Sequence, residues 1–313
     1  MKILVTGGTG FIGSHLVKAL IKKRYKVLVL SQSLPKKENF PAQVKFYKVN
    51  ICSGKIDEIF KKERPKIIYH LAAYLPRTAI EESSYNILNI ETNILGTLRI
   101  LEASRNYKIK KIIFSSSAAI YGDPTSVPTP ETYQANPMTL YGLAKFTAER
   151  LFEIYHQLYN IPYIIFRYSN VYGPGQRYTG KQGNLIAYFV DKISGNKQPV
   201  INGDGKQTRD FIYIDDVIRA NLLAIKENKV GIYNVGSGSG TSINEICYKI
   251  CQIIGKKIKP KYNPAAKRGI KRSALEIKKI KKDFGYQPKI SLDIGLQRTI
   301  NFLKKKINVS REF

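Results

Sequence analysis

The sequence predicts an α/β protein, a doubly wound parallel sheet joined to a smaller C-terminal mixed α/β lobe. Three observations carry this. Short apolar runs alternate with helical stretches throughout the first half of the chain, as a parallel sheet covered on both faces requires. A glycine-rich stretch, Gly7-Gly8-Thr9-Gly10-Phe11-Ile12-Gly13, stands between the first strand and the first helix. After about residue 170 the alternation breaks into shorter elements punctuated by Pro and Gly. The expected domains are therefore 1–170 for the sheet and 171–313 for the second lobe, with the chain crossing between lobes near 200–240.

Ile3 to Thr6 forms a buried strand, and the glycines lead into a helix ending near Lys23. The GxxGxxG spacing permits a tight turn, close approach of backbone N–H groups to a diphosphate, and close packing of helix on strand. The helix N-terminus behind it is itself an anion site. A glycine pattern alone is weak; in this position it is a dinucleotide signal. Lys26 to Leu30 is the second strand. An acid at its end would hold the adenosine ribose hydroxyls, but Ser31 stands there, followed by Gln32, Ser33 and later Lys36-Lys37. The usual argument for NAD over NADP is thus missing. The serine and lysines suit a 2′-phosphate about as well as they suit a surface loop that touches nothing.

Val44 to Val49 is the third strand, and Asn50-Ile51 at its end offers an adenine edge. A helix over about 55–62 precedes a fourth strand, Ile67 to Leu71, running into Ala72-Ala73. Small residues there let a flat ligand lie against backbone. A long helix over about 85–106 carries Asn93 and Gly96-Thr97, and Lys111 to Phe114 is the fifth strand. Tyr163 to Arg167 is the sixth. Beyond it the pattern predicts a helix over 185–194, a turn at Asn202-Gly203-Asp204-Gly205, and a helix over 215–226. A strand at Gly231 to Val235 and helices over 242–254, 275–283 and 292–305 follow.

At 313 residues, 43% hydrophobic and 24% charged, the composition is that of an ordinary soluble globular protein. No apolar run approaches membrane-spanning length. The N-terminus enters a strand at once, leaving no room for a signal peptide, so a cytoplasmic location is expected. Cys52, Cys247 and Cys251 form neither a disulfide framework nor a metal motif, and no metal is expected. The formal net charge of +29 is the outlier. Its lysines are spread over nearly every helix rather than drawn into one tract interleaved with aromatics. We read them as a solvated surface that incidentally favours anionic substrates, with nucleic-acid binding confined to low salt.

The chemistry concentrates in Ser115-Ser116-Ser117-Ala118-Ala119-Ile120-Tyr121-Gly122 and Tyr141-Gly142-Leu143-Ala144-Lys145. A strand ending in serines delivers hydroxyls to one edge of the sheet. On the helix expected over 141–159, Tyr141 and Lys145 lie one turn apart on the same face. A phenol with pKa near 10 is a poor base at neutral pH; a neighbouring ammonium favours the phenolate. Ser, Tyr and Lys together make an acid/base device for an alcohol proton. Taken alone, Tyr-x-x-x-Lys is an ordinary helix turn.

Over essentially the whole chain these motifs, in this order, resemble the extended short-chain dehydrogenase/reductase family, and most closely its NAD-dependent nucleotide-sugar epimerases of the UDP-glucose 4-epimerase type. The motifs are Thr6 to Gly13, His70-Leu71-Ala72-Ala73, Asn93 with Gly96-Thr97, Ser115 to Gly122, Tyr141 with Lys145, Arg167 to Gly175, Gly203 to Tyr213, and Asn234-Val235-Gly236. The resemblance implies a Rossmann sheet binding NAD, with NADP left open, and Ser117, Tyr141 and Lys145 as the catalytic set. It gives the cofactor Gly7, Gly10, Phe11, Ile12, Gly13, Ser31, Asn50, Ile51, Leu71, Ala72, Ala73, Asn93, Ser115 and Tyr168 besides Tyr141 and Lys145. The nucleotide-diphospho-sugar falls to Ser117, Tyr141, Asn170, Asn184, Leu185, Arg209 and Arg268. It also implies a homodimer packed through the helices at about 86–106 and 141–159.

Departures from the pattern select within the family. The 4,6-dehydratases carry Asp-Glu directly after the catalytic serine or threonine, and the sugar decarboxylases a Glu at the second position. Here both are alanine, Ala118 and Ala119, which leaves oxidation and re-reduction at the sugar C4. Tyr74-Leu75-Pro76-Arg77-Thr78 and Ala266 to Ser273 depart from the usual 4-epimerase segments, so the sugar stays open, an N-acetylated one or UDP-glucuronate included. A reductase or dehydrogenase of the same family, consuming external NAD(P)H, is the first alternative. A nonenzymatic NAD(P)- or RNA-binding protein on the same fold is the second.

Overall fold

The computed structural model describes residues 1–34, 41–75, 86–176, 185–264 and 269–309. The chain opens with β1 (Lys2–Thr6), α1 (Phe11–Lys22), β2 (Lys26–Ser31), β3 (Lys45–Lys48), α2 (Lys55–Glu63) and β4 (Ile67–His70). There follow α3 (Asn86–Ile90), a π-helical turn (Glu91–Leu95), α4 (Gly96–Asn106), β5 (Lys111–Ser117), a 3₁₀ turn (Ala118–Tyr121), α5 (Leu140–Tyr159) and β6 (Tyr163–Tyr168). Next come β7 (Asn170–Tyr172), α6 (Leu185–Ser194), β8 (Val200–Asn202), β9 (Thr208–Arg209), β10 (Phe211–Tyr213), α7 (Ile214–Ala224) and β11 (Gly231–Val235). The chain closes with β12 (Thr241–Ser242), α8 (Ile243–Ile254), β13 (Lys261–Asn263), α9 (Lys278–Phe284) and α10 (Leu292–Val309).

Seven strands form one parallel sheet in the order β3-β2-β1-β4-β5-β6-β11. Alternation at period two sends successive side chains to opposite faces. Ile3 and Val5 of β1, Val27 and Val29 of β2, and Ile164 and Phe166 of β6 enter one core. Leu4, Leu28, Leu30 and Ile165 enter the other. The second core is closed by α2, α4 and α5 through Phe60, Ile100 and Phe152. The first is closed by α1 and α7 and runs on without a break into α6, α8, α9 and α10 through Phe189, Ile246, Phe284 and Ile300. The C-terminal lobe therefore shares its core with one face of the sheet. Within the stretch 200–240, α7 packs on α1, and β11 pairs with β6 at the sheet edge.

Two sequence expectations change. The helix expected over 85–106 contains the π turn at Glu91–Leu95, and Gly96 just beyond it lies so close to Ile51 that a Cβ would sit 2.5 Å from its Cδ1. The helix expected from Leu275 starts three residues later. Leu275 is taken by a parallel bridge to Thr129, and its N–H donates to Asp210 (3.1 Å). Tertiary pairing wins over local propensity there.

The amino edge of the sheet carries one buried carboxylate. Glu63 accepts from Lys2 Nζ (3.1 Å), Lys45 Nζ and the Tyr47 hydroxyl. These donors, Lys45 first, hold its pKa down at about 2 against burial. Its folded value lies below the ordinary 4.5, so its contribution is complete above that pH and is lost as pH falls toward 2. Glu63→Gln should cost about 1–3 kcal/mol in urea unfolding at pH 7, with the gap to the natural protein closing progressively below pH about 4.

Candidate active site

All the sheet's carboxyl ends meet at one edge, and every described site residue of the first half gathers there. The glycine turn follows β1. Gly7 adopts φ +67°, and a Cβ on it would lie 2.7 Å from Ala72 N; one on Gly13 would lie 2.2 Å from Gly7 O. No side chain caps the N-terminus of α1 at Gly10. The turn is thus a cradle that only glycine backbone fits, opening on uncapped N–H groups, and such a cradle suits a diphosphate. Ser31 faces it from the end of β2, its hydroxyl 2.6 Å from Thr9 Oγ1. Phe11 and Ile12 are half-buried in the first turn of α1. Asn50 is exposed and accepts from Cys52 N (2.9 Å), while Ile51 is buried against Gly96.

The stretch Leu71 to Tyr74 is set by a chain of hydrogen bonds whose direction can be read. Thr97 Oγ1 donates to Asn93 O (2.7 Å), so His70 Nε2, 3.0 Å from it, must carry the proton. His70 Nδ1 then accepts from Thr6 Oγ1 (2.8 Å), whose oxygen receives the N–H groups of Leu71 (3.2 Å) and Ala72 (3.1 Å). Burial, with the Lys145 charge behind it, holds the imidazole down at about 3, so it stays neutral. Asn93 Oδ1 accepts from Tyr74 N (3.0 Å), and its Nδ2 donates to Tyr74 O (2.8 Å) and Asn89 Oδ1 (2.7 Å). That corrects the expectation in part: both N–H groups of the Asn93 amide are spent on shaping the loop, and Oδ1 alone keeps a further acceptor position. Tyr168 is corrected likewise, its buried ring in the core and its hydroxyl paired with the Asn221 amide (2.8 Å).

Ser117 ends β5, and its Oγ accepts from Ala119 N (3.2 Å), which starts the 3₁₀ turn. Across from it, α5 is capped by Thr139, whose hydroxyl accepts from Gly142 N (3.1 Å). A Cβ on Gly142 would lie 2.7 Å from Ala119 O, so this glycine lets the helix approach the serine turn. Lys145 is buried, donates to Ser115 O (2.7 Å), and lies 5.9 Å from the Tyr141 ring centre and 4.7 Å from that of Phe114. Burial pushes the Tyr141 phenol up to about 12, opposed by the Ser117 hydroxyl. Burial also pulls the Lys145 ammonium down to about 7, opposed by Glu149. The expected lowering of the phenol by its lysine is therefore reversed in the protein alone, because one desolvated pocket disfavours both charges.

Sequence reading missed the support behind this set. Ser116, Arg167 and Asn234 are register partners across β5, β6 and β11. Glu149, one turn beyond Lys145, accepts from the Ser116 hydroxyl and from Arg167 Nη2 (2.6 Å) and Nε (3.1 Å). Arg167 Nη1 donates to Tyr121 Oη (2.9 Å) and Glu131 O (3.0 Å), and Tyr121 donates to Asn234 Oδ1 (2.7 Å). The spacing Tyr141, Lys145, Glu149 was the available signal.

On the lobe side, β7 pairs with β10, which brings exposed Asn170 beside the Arg209 strand; Asn170 N donates to Asp210 O (2.9 Å). Arg209 Nη1 donates to Thr208 O (2.7 Å) and Ile270 O (2.8 Å), and burial lowers its pKa. Among the described residues no ion pair joins Arg209 to Asp210. The buried Asp210 instead accepts from Ser237 N (2.7 Å), the Ser237 hydroxyl (2.7 Å), Gly238 N (3.3 Å) and Leu275 N (3.1 Å). Leu185 is half-buried at the start of α6. Asn184 and Arg268, like Lys36 and Lys37, lie outside the described residues. No group of three or more His, Cys, Asp or Glu there could hold a metal, and no helix there is long and apolar enough to cross a membrane.

A family model for the NAD-dependent epimerase/dehydratase family matches residues 3–236, and the chain belongs to that family. Among solved relatives, it is similar to a UDP-glucose 4-epimerase from Thermotoga maritima in complex with UDP-glucose. The two are 40% identical at a TM-score of 0.93, with 98% of this chain and 100% of the other covered. A UDP-N-acetylglucosamine 4-epimerase from Methanobrevibacter ruminantium, in complex with UDP-N-acetylmuramic acid, is 30% identical at a TM-score of 0.91 over 97% and 98%. A UDP-glucuronic acid 4-epimerase from Bacillus cereus, in complex with its UDP-sugar and NAD, is 31% identical at 0.89 over 98% and 100%.

Lys145 at about 7 lies far below the usual lysine value of 10.5. The unfolded chain then binds more protons between those pH values, so the cofactor-free protein gains stability as pH rises through that window. Lys145→Met should therefore melt higher than the natural protein at pH 6, by several degrees, with the excess shrinking toward pH 10 while activity is lost. Calorimetry across that range checks it.

Proposed function

We propose that this chain is an NAD-dependent nucleotide-sugar 4-epimerase acting on a UDP-hexose of the glucose/galactose type. The observation that carries the reading is the meeting of Ser117 and Tyr141 over buried Lys145, with alanines at 118 and 119 where elimination chemistry would need carboxylates. The UDP-sugars bound in the relatives' structures, UDP-glucose, UDP-N-acetylmuramic acid and UDP-glucuronic acid, support the class, and the sugar is decided by assay. Ser273 is small and half-buried on the segment that meets Arg209, which favours including N-acetylated sugars.

NAD, when bound in the glycine cradle, supplies the hydride acceptor and donor for transient oxidation at the sugar C4. The chain's own residues handle protons and position. Tyr141 takes the proton from the 4-hydroxyl and returns it, with the Ser117 hydroxyl holding the same oxygen. Lys145 holds positive charge near the phenol and is fixed by Ser115 O. Arg209, aimed by two backbone carbonyls and flanked by Asn170, holds the diphosphate, about which the sugar can turn to present its other face. Oxidant and reductant cancel over one cycle, so retained cofactor and no net redox separate this reading from a reductase.

A homodimer through α3, α4 and α5 goes with this reading. Ile87, Ile90 and Leu95 on one side and Leu143, Ile154 and Leu158 on the other are exposed aliphatics on helices that pack together. Exposed aliphatics recurring along helices that pack together are what a second copy of the chain would cover.

Purified protein incubated with UDP-glucose, UDP-N-acetylglucosamine, UDP-glucuronic acid and dTDP-glucose, without added reductant, should give the 4-epimer of at least one. Tyr141→Phe should lower kcat about 10²–10⁴-fold with NAD still bound. Conversion of none, or full activity in the phenylalanine variant, refutes the assignment. Light scattering on the same sample should give about twice the chain mass of 35.5 kDa.

A further inference from the structure

Lysines that look dispersed along the sequence are collected by the topology at the amino edge of the sheet, opposite the active site. Lys26 N bonds to Met1 O (3.3 Å), Lys66 N to Lys2 O (3.0 Å) and Lys110 N to Lys66 O (2.9 Å). Four lysines, Lys26, Lys2, Lys66 and Lys110, therefore stand side by side at the starts of β2, β1, β4 and β5, about 4.8 Å apart from strand to strand. Lys26, Lys66 and Lys110 are exposed. Each of the three turns feeding this row is basic: Lys22-Lys23-Arg24-Tyr25-Lys26 from α1, Lys61-Lys62-Glu63-Arg64-Pro65-Lys66 from α2, and Lys108-Ile109-Lys110-Lys111 from α4. Glu63 is the only acid in the three, and it is buried under Lys2, Lys45 and Tyr47.

Helix dipoles account for part of this. Cations in a last turn complement a helix carboxyl end, which covers Lys22, Lys61 and Lys62. The dipole falls off within that turn and does not reach Lys26, Lys66 and Lys110, which open the following strands. Like charges facing each other on adjacent strands are destabilising, so the row carries a cost in the free protein that a polyanion would relieve.

We propose that this edge docks the phosphodiester backbone of single-stranded nucleic acid. A line of closely and regularly spaced cations matches a polymer with one charge per residue. Two half-buried tyrosines lie among the cations: Tyr25 between Arg24 and Lys26, and Tyr107 under the Arg64 guanidinium at 4.8 Å. Rings so placed suit unpaired bases, which stack on aromatic and guanidinium faces. A lipid surface fits less well, because among the described residues of the row itself, the starts of β2, β1, β4 and β5 and the three turns that feed it, Met1 is the one exposed large apolar side chain, too little to insert. The active site faces the other way, so docked polymer and nucleotide sugar do not compete.

The test compares two triple variants of the full chain. Lys26→Gln/Lys66→Gln/Lys110→Gln neutralises the row; Lys197→Gln/Lys257→Gln/Lys259→Gln removes the same charge from exposed positions on the second lobe. Anisotropy of labelled mixed-sequence oligonucleotides, RNA in one arm and DNA in another, is followed from 50 to 300 mM salt, with anionic vesicles as a third arm. The row variant should bind at least tenfold more weakly at about 100 mM salt, its salt slope lower by about 2, the figure for three phosphate contacts on a single strand. The second-lobe variant should match the natural protein, and the row variant should melt no lower than the natural protein, since relief of like-charge repulsion can only raise it. Preference between the RNA and DNA arms tells which polymer is held. Equal losses in both variants, no loss in either, or row-dependent binding seen only with vesicles overturns the proposal.

Discussion

The catalytic end of this molecule depends on a buried ion pair that touches no substrate. Glu149 and Arg167 are almost fully excluded from solvent, with side chains 1% and 5% exposed. Removing two charges from water is expensive, and a buried pair repays it only if the remaining donors and acceptors are satisfied. Here they are. Glu149 takes the Ser116 hydroxyl besides the guanidinium, and Arg167 spends its other donors on Tyr121 and Glu131. The result is a fixed register between strand and helix. Consecutive residues of β5 are tied to successive turns of α5, Ser115 O to Lys145 and Ser116 Oγ to Glu149. Ser117 and Tyr141, next along each element, have little freedom left to part.

The same row carries that geometry into the second lobe. Asn234, register partner of Arg167, donates to Thr129 O (2.9 Å) and Glu276 O (3.1 Å). Lys271 N donates to Asp123 Oδ1 (2.7 Å), two residues beyond the 3₁₀ turn. Residues 270–276 are thus held at once by the loop behind the catalytic turn and by the strand bearing Arg209, whose guanidinium rests on Ile270 O. Asp210, beside Arg209, receives N–H groups from Ser237, Gly238 and Leu275 and closes the frame from below. A shift of the lobe that displaced the Arg209 guanidinium would have to break bonds that lead back to Ser116 and Glu149.

Period and punctuation made the sheet legible in the sequence. Buried parallel strands are continuous apolar runs, as β1, β2, β4 and β6 are, whereas the edge strand β3, Lys45–Lys48, is partly exposed and carries a lysine at each end. That the glycine turn and the Ser, Tyr and Lys residues come together at one end of the sheet was legible because each sits at a fixed spacing from a strand end or along one helix. What stayed hidden depends on partners far apart in sequence. Tyr168 looks like a ligand group until Asn221 is seen to use its hydroxyl, and Asn93 looks free until Tyr74 and Asn89 take both of its N–H groups. Leu275 looks helical until Thr129 claims it. The phenol looks activated by its lysine until burial is counted against both. The basic edge is the same lesson reversed, since three turns separated by some 40 residues each become neighbours only when the sheet is wound.

The electrostatics of the pocket bear on how the chemistry is gated. With Tyr141 near 12 and Lys145 near 7, the phenol is protonated at neutral pH and the lysine about half charged. A desolvated pocket magnifies any charge that enters it, because the effective dielectric is low. Added positive charge would pull the phenol down toward the working range and push part of the lysine's proton off, both from one source. Glu149 limits the second effect, since it alone among the causes of the Lys145 shift favours the ammonium. The protein by itself therefore holds the phenol as a weak base, and a cation bound beside it would be needed to bring it into the working range.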